Sequence, residues 1–97
     1  MVVVPSILSQ TLSDADGVEL VLFAFAAGER LGEHTSARPA MLHILAGTGD
    51  LTLGGDASIA SPGTWARMPA HVPHSLVART PLVMALYLLP PAGDPDR

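Results

Sequence analysis

Apolar residues run along this chain in short blocks cut by Gly, Pro and Asp, and no block keeps the i, i+3, i+4, i+7 spacing of an amphipathic helix. The pattern predicts strands at Val18 to Ala26, Ala40 to Ala46, Asp50 to Leu53, Thr64 to Met68, His74 to Ala78 and Leu82 to Leu89. Between them, Gly47-Thr48-Gly49-Asp50 and Gly54-Gly55-Asp56 supply the backbone freedom of tight hairpins, and Ser61-Pro62-Gly63 starts another turn. Short, evenly spaced antiparallel strands without helix imply an all-β sandwich, jelly roll or barrel, where closure also removes exposed sheet edges.

Strand periodicity assigns faces. Counting by twos puts Ala40, Leu42 and Ile44 on one face of their strand and His43 on the other. The strand Leu82 to Leu89 is apolar on both faces, so both need cover. The barrel interior supplies one cover, and a second copy of the chain is expected to supply the other, making a homodimer.

Length and composition support that expectation. A chain of 97 residues is one domain, 1–97, with a core over about 15–90 and a flexible Pro-rich tail at 91–97. It buries only roughly 60–65% of its unfolded surface, which is marginal for a lone copy. Apolar residues make up 48% and charged residues 14%, more apolar surface than a small core consumes. No apolar run reaches the roughly 20 residues of a membrane-spanning helix. The start Met1-Val2-Val3-Val4-Pro5 lacks a basic region and a long apolar stretch, so a cytoplasmic location is expected.

Charge and residue types narrow the chemistry. Five Arg against nine acidic residues give a net charge of −4, and the arginines do not cluster, so nucleic acid is not an expected partner. With no cysteine, any metal would sit on His, carboxylate or water. No Ser-His-Asp spacing, phosphate-binding Gly loop or H-E-x-x-H is present.

Two spaced motifs carry the functional signal. The first reads G-x5-H-x-S-x3-A-x6-G from Gly28 through His34, Ser36 and Ala40 to Gly47. The second reads G-x5-P-x-H-x2-H-x3-A from Gly63 through Pro69, His71 and His74 to Ala78. They resemble the paired motifs of the cupin superfamily, G-x5-H-x-H-x3-4-E-x6-G and G-x5-P-x-G-x2-H-x3-N. Gly28, His34, Gly47, Gly63, Pro69 and His74 match, six of ten defined positions, with the fifteen residues Thr48 to Pro62 between the motifs. The resemblance implies a small double-stranded β-helix, the jelly-roll barrel of cupins. It also implies a divalent transition metal such as iron, manganese, nickel, copper or zinc, held by the two histidines of the first motif, its Glu, and the histidine of the second. Here Ser36 replaces one His and Ala40 the Glu, so two of four ligands are missing, and catalytic sites normally keep at least three.

His34 and His74 are therefore the candidate metal ligands, and with Ser36 and His71 they are the candidate ligand-binding residues. His43 is the reserve third ligand, available only if a bulge turns it inward. His71, at the motif's turn-glycine position, belongs either to the pocket mouth or to a solvated turn. Glu33 is adjacent to His34 and points oppositely on an extended chain, which argues against its replacing the lost carboxylate; Glu29 is the other nearby carboxylate. Arg67 would meet an anionic substrate only from the inner face. Met41, Met68 and Met84 are read as core fillers, and Trp65, Phe23, Phe25 and Tyr87 as core or interface aromatics. Three functions stay open: a small-molecule-binding cupin with a degenerate metal site and no robust catalysis, a metal-dependent enzyme of the dioxygenase, isomerase or lyase kind, and an interaction module.

Overall fold

The computed structural model describes residues 7–91, and within them every regular element is a strand. In chain order these are β1 (Ile7–Ala15), β2 (Val18–Phe25), β3 (Arg30–His34), β4 (Ala40–Ala46), β5 (Gly49–Leu53), β6 (Asp56–Ala60), β7 (Trp65–Met68), β8 (His74–Ala78) and β9 (Leu82–Leu88). They form two antiparallel sheets, ordered β1-β2-β9-β4-β7 and β3-β8-β5-β6. This is the jelly-roll arrangement that the motif resemblance implies. The expected tail lies almost wholly outside the described residues.

Alternation decides what fills the barrel. From the five-stranded sheet, Phe25, Ala40, Leu42, Ile44, Leu82 and Met84 point inward, and they meet Leu51, Leu76, Ala60 and Ala78 of the four-stranded sheet. Ile44, Leu82 and Met84 are the most completely buried large side chains, and no polar or charged residue is buried among those described. The outer face of β9 carries Val83, Ala85 and Tyr87, with Trp65 stacked beside Tyr87 at a centroid distance of 5.9 Å.

Six strands fall where the hydrophobic pattern places them, within a residue at each end. Thr64 leaves the start of β7 because its hydroxyl accepts from the Ser61 amide at 3.0 Å, which holds it in the turn. Three strands were not read from the pattern. β1 is an edge strand exposed at residues 8–15, with a register shift between Thr11 and Ser13 that breaks the alternation midway. β6 exposes four of its five residues, and β3 is interrupted by a bulge that matters below. The β1–β2 turn, Asp16-Gly17 with φ of 57° and 78°, is an Asp-Gly hairpin signal that sequence reading passed over.

Candidate functional site

β3 and β8 bring His34 and His74 together as directly paired residues. On β8 the inward face runs through Leu76 and Ala78, both buried, so His74, two before Leu76, faces inward too. On β3, Leu31 pairs with Leu76 and His34 with His74. Three steps on one strand thus match two on the other. Strict alternation would turn His34 away from the face of Leu31. The bulge, with Gly32 and Glu33 opposing Ser75, restores it.

The two rings are held in the same way. His34 Nδ1 lies 2.8 Å from the carbonyl oxygen of Gly32, and His74 Nδ1 lies 3.2 Å from that of Val72. A carbonyl only accepts, so each Nδ1 donates, and each Nε2 is left directed at the other ring. Those Nε2 atoms converge at 2.8 Å, with ring centroids 4.0 Å apart and the planes at 70°. At that distance two bare lone pairs would repel, so a proton or a cation shared between them completes the contact. Burial pushes the half-buried His74 imidazole below its ordinary pKa; the Val72 carbonyl opposes that shift, and His34 adds to it.

The pair stands between two spaces. Beneath it is an apolar chamber of about 140 Å³, walled by Phe23, Leu31, Leu42, Leu51 and Met84 among others. Above it is a more polar vestibule of about 290 Å³ that reaches Thr35, Ser36 and Arg38. His34, His74, Met68 and Leu86 line both and so form the neck.

Each sequence-selected residue has a definite place. Ser36 lines the vestibule, where its hydroxyl accepts from the Arg38 amide at 3.1 Å. Ala40 lines it too, buried at the start of β4. His71 is exposed and lines neither space; its amide donates to the Ser36 carbonyl at 2.8 Å, with φ at 67°. The family pattern has glycine there because the turn needs that left-handed conformation, and this chain keeps the conformation without the glycine.

His43 requires a correction as the reserve third ligand. The irregularity in β4 falls between Ile44 and Ala46, beyond His43, so the outward parity of His43 is kept. Its ring stacks on Trp65 of β7 at 4.1 Å and 15°, on the opposite side of the sheet from the chamber. Arg67 is exposed and adjoins the inward Met68, so it too faces out and does not meet a ligand in the barrel. Glu33 is exposed and Glu29 half-buried, and neither lines either space.

Arg38 was not singled out from sequence, and nothing in its surroundings there marks it. Its guanidinium donates to the carbonyls of Leu89 at 2.9 Å, Gly17 at 2.8 Å and Leu88 at 3.1 Å, and pairs with Glu19 at 3.4 Å. These bonds tie the start of β4 to the β1–β2 turn and the end of β9. Arg38 is thus an anchor in the vestibule wall, with its donors largely engaged.

A metal of the family's kind can be tested against these residues. Two imidazoles on one ion, at bonds of about 2.0–2.1 Å, stand about 3.0–3.4 Å apart, so the Nε2 pair is close to the required spacing. The remainder of the set is missing, since Ser36 and Ala40 supply no imidazole or carboxylate. Among the described residues no three of His, Asp and Glu come together. A resident divalent centre with the family's four ligands does not fit this chain.

Comparison with known proteins agrees with the fold. Residues 21–89 match the family described as Cupin domain. No curated protein matches the sequence. Among solved structures, a conserved protein of unknown function from Streptococcus pyogenes is 30% identical, with a TM-score of 0.80 over 90% of this chain and 76% of that one. A cupin superfamily protein from Desulfitobacterium hafniense is 27% identical, with a TM-score of 0.81 over 87% and 77%. KdgF from Halomonas sp. is 25% identical, with a TM-score of 0.79 over 100% and 91%. No helix among the described residues is long and apolar enough to cross a membrane. With the family match extending from β2 through β9 and both motif histidines paired across the barrel, this chain belongs to the cupin domain family.

Proposed function

We propose that this cupin is a small cytoplasmic binding protein that takes a small organic molecule into its barrel, apolar end in the chamber and polar end at the neck. One observation carries the reading: the His34 and His74 Nε2 atoms converge at 2.8 Å where an apolar chamber opens into a polar vestibule. A ligand hydroxyl, acid or amide N–H donates to one or both lone pairs, and its apolar body displaces water from the chamber. Ser36 adds a hydroxyl at the mouth. His71 stands outside both spaces and takes no part in holding the ligand.

A ligand-observed NMR screen of small molecules with an apolar body and one polar group, run on metal-free protein, tests this. Binders are expected, and their signals are lost in His74→Ala but kept in His71→Ala, with circular dichroism checking that each variant is folded. A screen without binders, or binding undiminished in His74→Ala, contradicts the proposal.

The reading includes association through the outer face of the five-stranded sheet. Leu8 and Trp65 are each 53% exposed there, beside Leu22 and Tyr87, and such apolar patches mark association surfaces. A homodimer is expected in sedimentation, with Trp65→Glu shifting it toward monomer; a wild-type monomer contradicts this part.

A further inference from the structure

The neck holds one more donor, Met68, which lines both spaces and pairs across the sheet with Ala40, the position of the family's carboxylate. Met68 is the last residue of β7 and pairs directly with Ala40 of β4, both buried and facing the barrel interior. Directly opposed side chains on one face are neighbours, with Cβ atoms about 4.5–5.5 Å apart. The methyl group of Ala40 leaves that space to Met68, which lines both the chamber and the vestibule together with His34 and His74. Met84 lines the chamber alone, deeper in the barrel.

The donors at the neck are then two imidazole nitrogens and one thioether sulfur. All are neutral, and no carboxylate lines either space. Two neutral imidazoles and a thioether offset a double charge less well than a set with a carboxylate, and the desolvation cost of an ion rises with the square of its charge. A monovalent ion escapes most of that penalty. A soft thioether favours cuprous copper over the harder divalent ions, and cuprous copper accepts a low coordination number. The two rings are already oriented by the carbonyls of Gly32 and Val72, the kind of outer support that metal-bound histidines use.

We propose that the neck is a cuprous site formed by His34, His74 and Met68, a soft monovalent site in place of the family's divalent centre. It goes beyond the small-molecule reading and does not depend on it: an ion at the neck takes the Nε2 lone pairs that a ligand's polar group would use, so the two compete.

Anaerobic titration of metal-free protein with Cu(I) against a chromophoric cuprous chelator, beside Zn(II), Mn(II) and Fe(II), tests the site without any organic ligand. The expected result is one Cu(I) per chain, bound at least about a hundredfold more tightly than Zn(II). Absorption at the copper edge should show imidazole nitrogen together with one sulfur. Met68→Leu removes the sulfur and weakens binding about tenfold or more, while Met84→Leu changes neither. His74→Ala abolishes the site. Zn(II) binding as tight as Cu(I), wild-type copper without sulfur, or a sulfur lost in Met84→Leu but kept in Met68→Leu overturns the proposal. The wild-type edge spectrum decides even if Met68→Leu fails to fold.

Discussion

His34 faces His74 because Gly32 and Glu33 together oppose the single Ser75, so the β3 bulge turns a residue of the wrong parity into the barrel. The pair depends on that extra residue as much as on the imidazoles themselves. The energetics of the site and of the turns that support it lead to measurable consequences.

The first concerns pH. His74 titrates below its ordinary value of 6.5 in the fold, chiefly through burial, and at that value when unfolded. Between the two values the unfolded chain binds more protons, so stability rises with pH there. The contribution is fully present above 6.5 and is lost as pH falls toward the folded-state value. Denaturant melts between about pH 8 and pH 5 should show a plateau followed by a decline, which His74→Gln flattens. Asp50, held below its ordinary 3.8 by the Arg79 guanidinium, stays ionised across that window and does not contribute to the decline. An unchanged profile in His74→Gln would contradict the assignment.

Gly47 closes the first motif with φ at 83°, and a Cβ there would overlap the carbonyl oxygen of Pro81 and crowd the Cα of Leu82. Both neighbours are backbone and cannot rotate away. Gly47→Ala is expected to destabilise by about 2 kcal/mol or more, combining left-handed strain and overpacking. Equilibrium unfolding measures this, and a loss below about 0.5 kcal/mol would show that the β4–β5 turn and the start of β9 are not so closely packed.

The barrel was legible in the sequence because its inward strands keep their alternation, from Ala40-Leu42-Ile44 to Leu82-Met84-Leu86. β1 and β3 were not, because each carries a bulge that reverses parity midway, and alternation is the signal that a reader follows. In the site, the motif resemblance over Gly28 to His34 and Gly63 to His74 implied that pair, and β3 and β8 set the two side by side. Met68 was read as core filler because a methionine in TWARM looks the same whether it fills a gap or lines a neck; only its register opposite Ala40 separates the two. Arg38 escaped notice because its partners are backbone carbonyls as many as 51 residues away, which no local pattern encodes.

The Arg38 anchor gives a third expectation. Arg38→Ala deletes charge-assisted bonds to three carbonyls that hold the β1–β2 turn and the end of β9. A loss of about 1–3 kcal/mol is expected, with Arg38→Lys recovering only part because one ammonium cannot reproduce the fork. Hydrogen exchange should show the loosening at Gly17 to Glu19 and at Leu88 to Leu89. A uniform change across the barrel would contradict the anchoring role.

His71 holds a left-handed φ of 67° without lining the barrel spaces. His71→Gly relieves about 1 kcal/mol of backbone strain and gives back part of it in unfolded-state entropy. A gain of about 0.5 kcal/mol, with ligand binding unchanged, is the expected net. A loss of about 1 kcal/mol or more would show that the imidazole makes a contact that matters.

The central claim is that His34 and His74 direct both Nε2 atoms at one point. Long-range proton–nitrogen NMR of the imidazoles at about pH 8 reads this directly. Both rings should carry a proton at Nδ1, with both Nε2 resonances moving together when a pocket ligand is added. A ring without a proton at Nδ1, or a ligand that shifts only one of the two, would contradict the account.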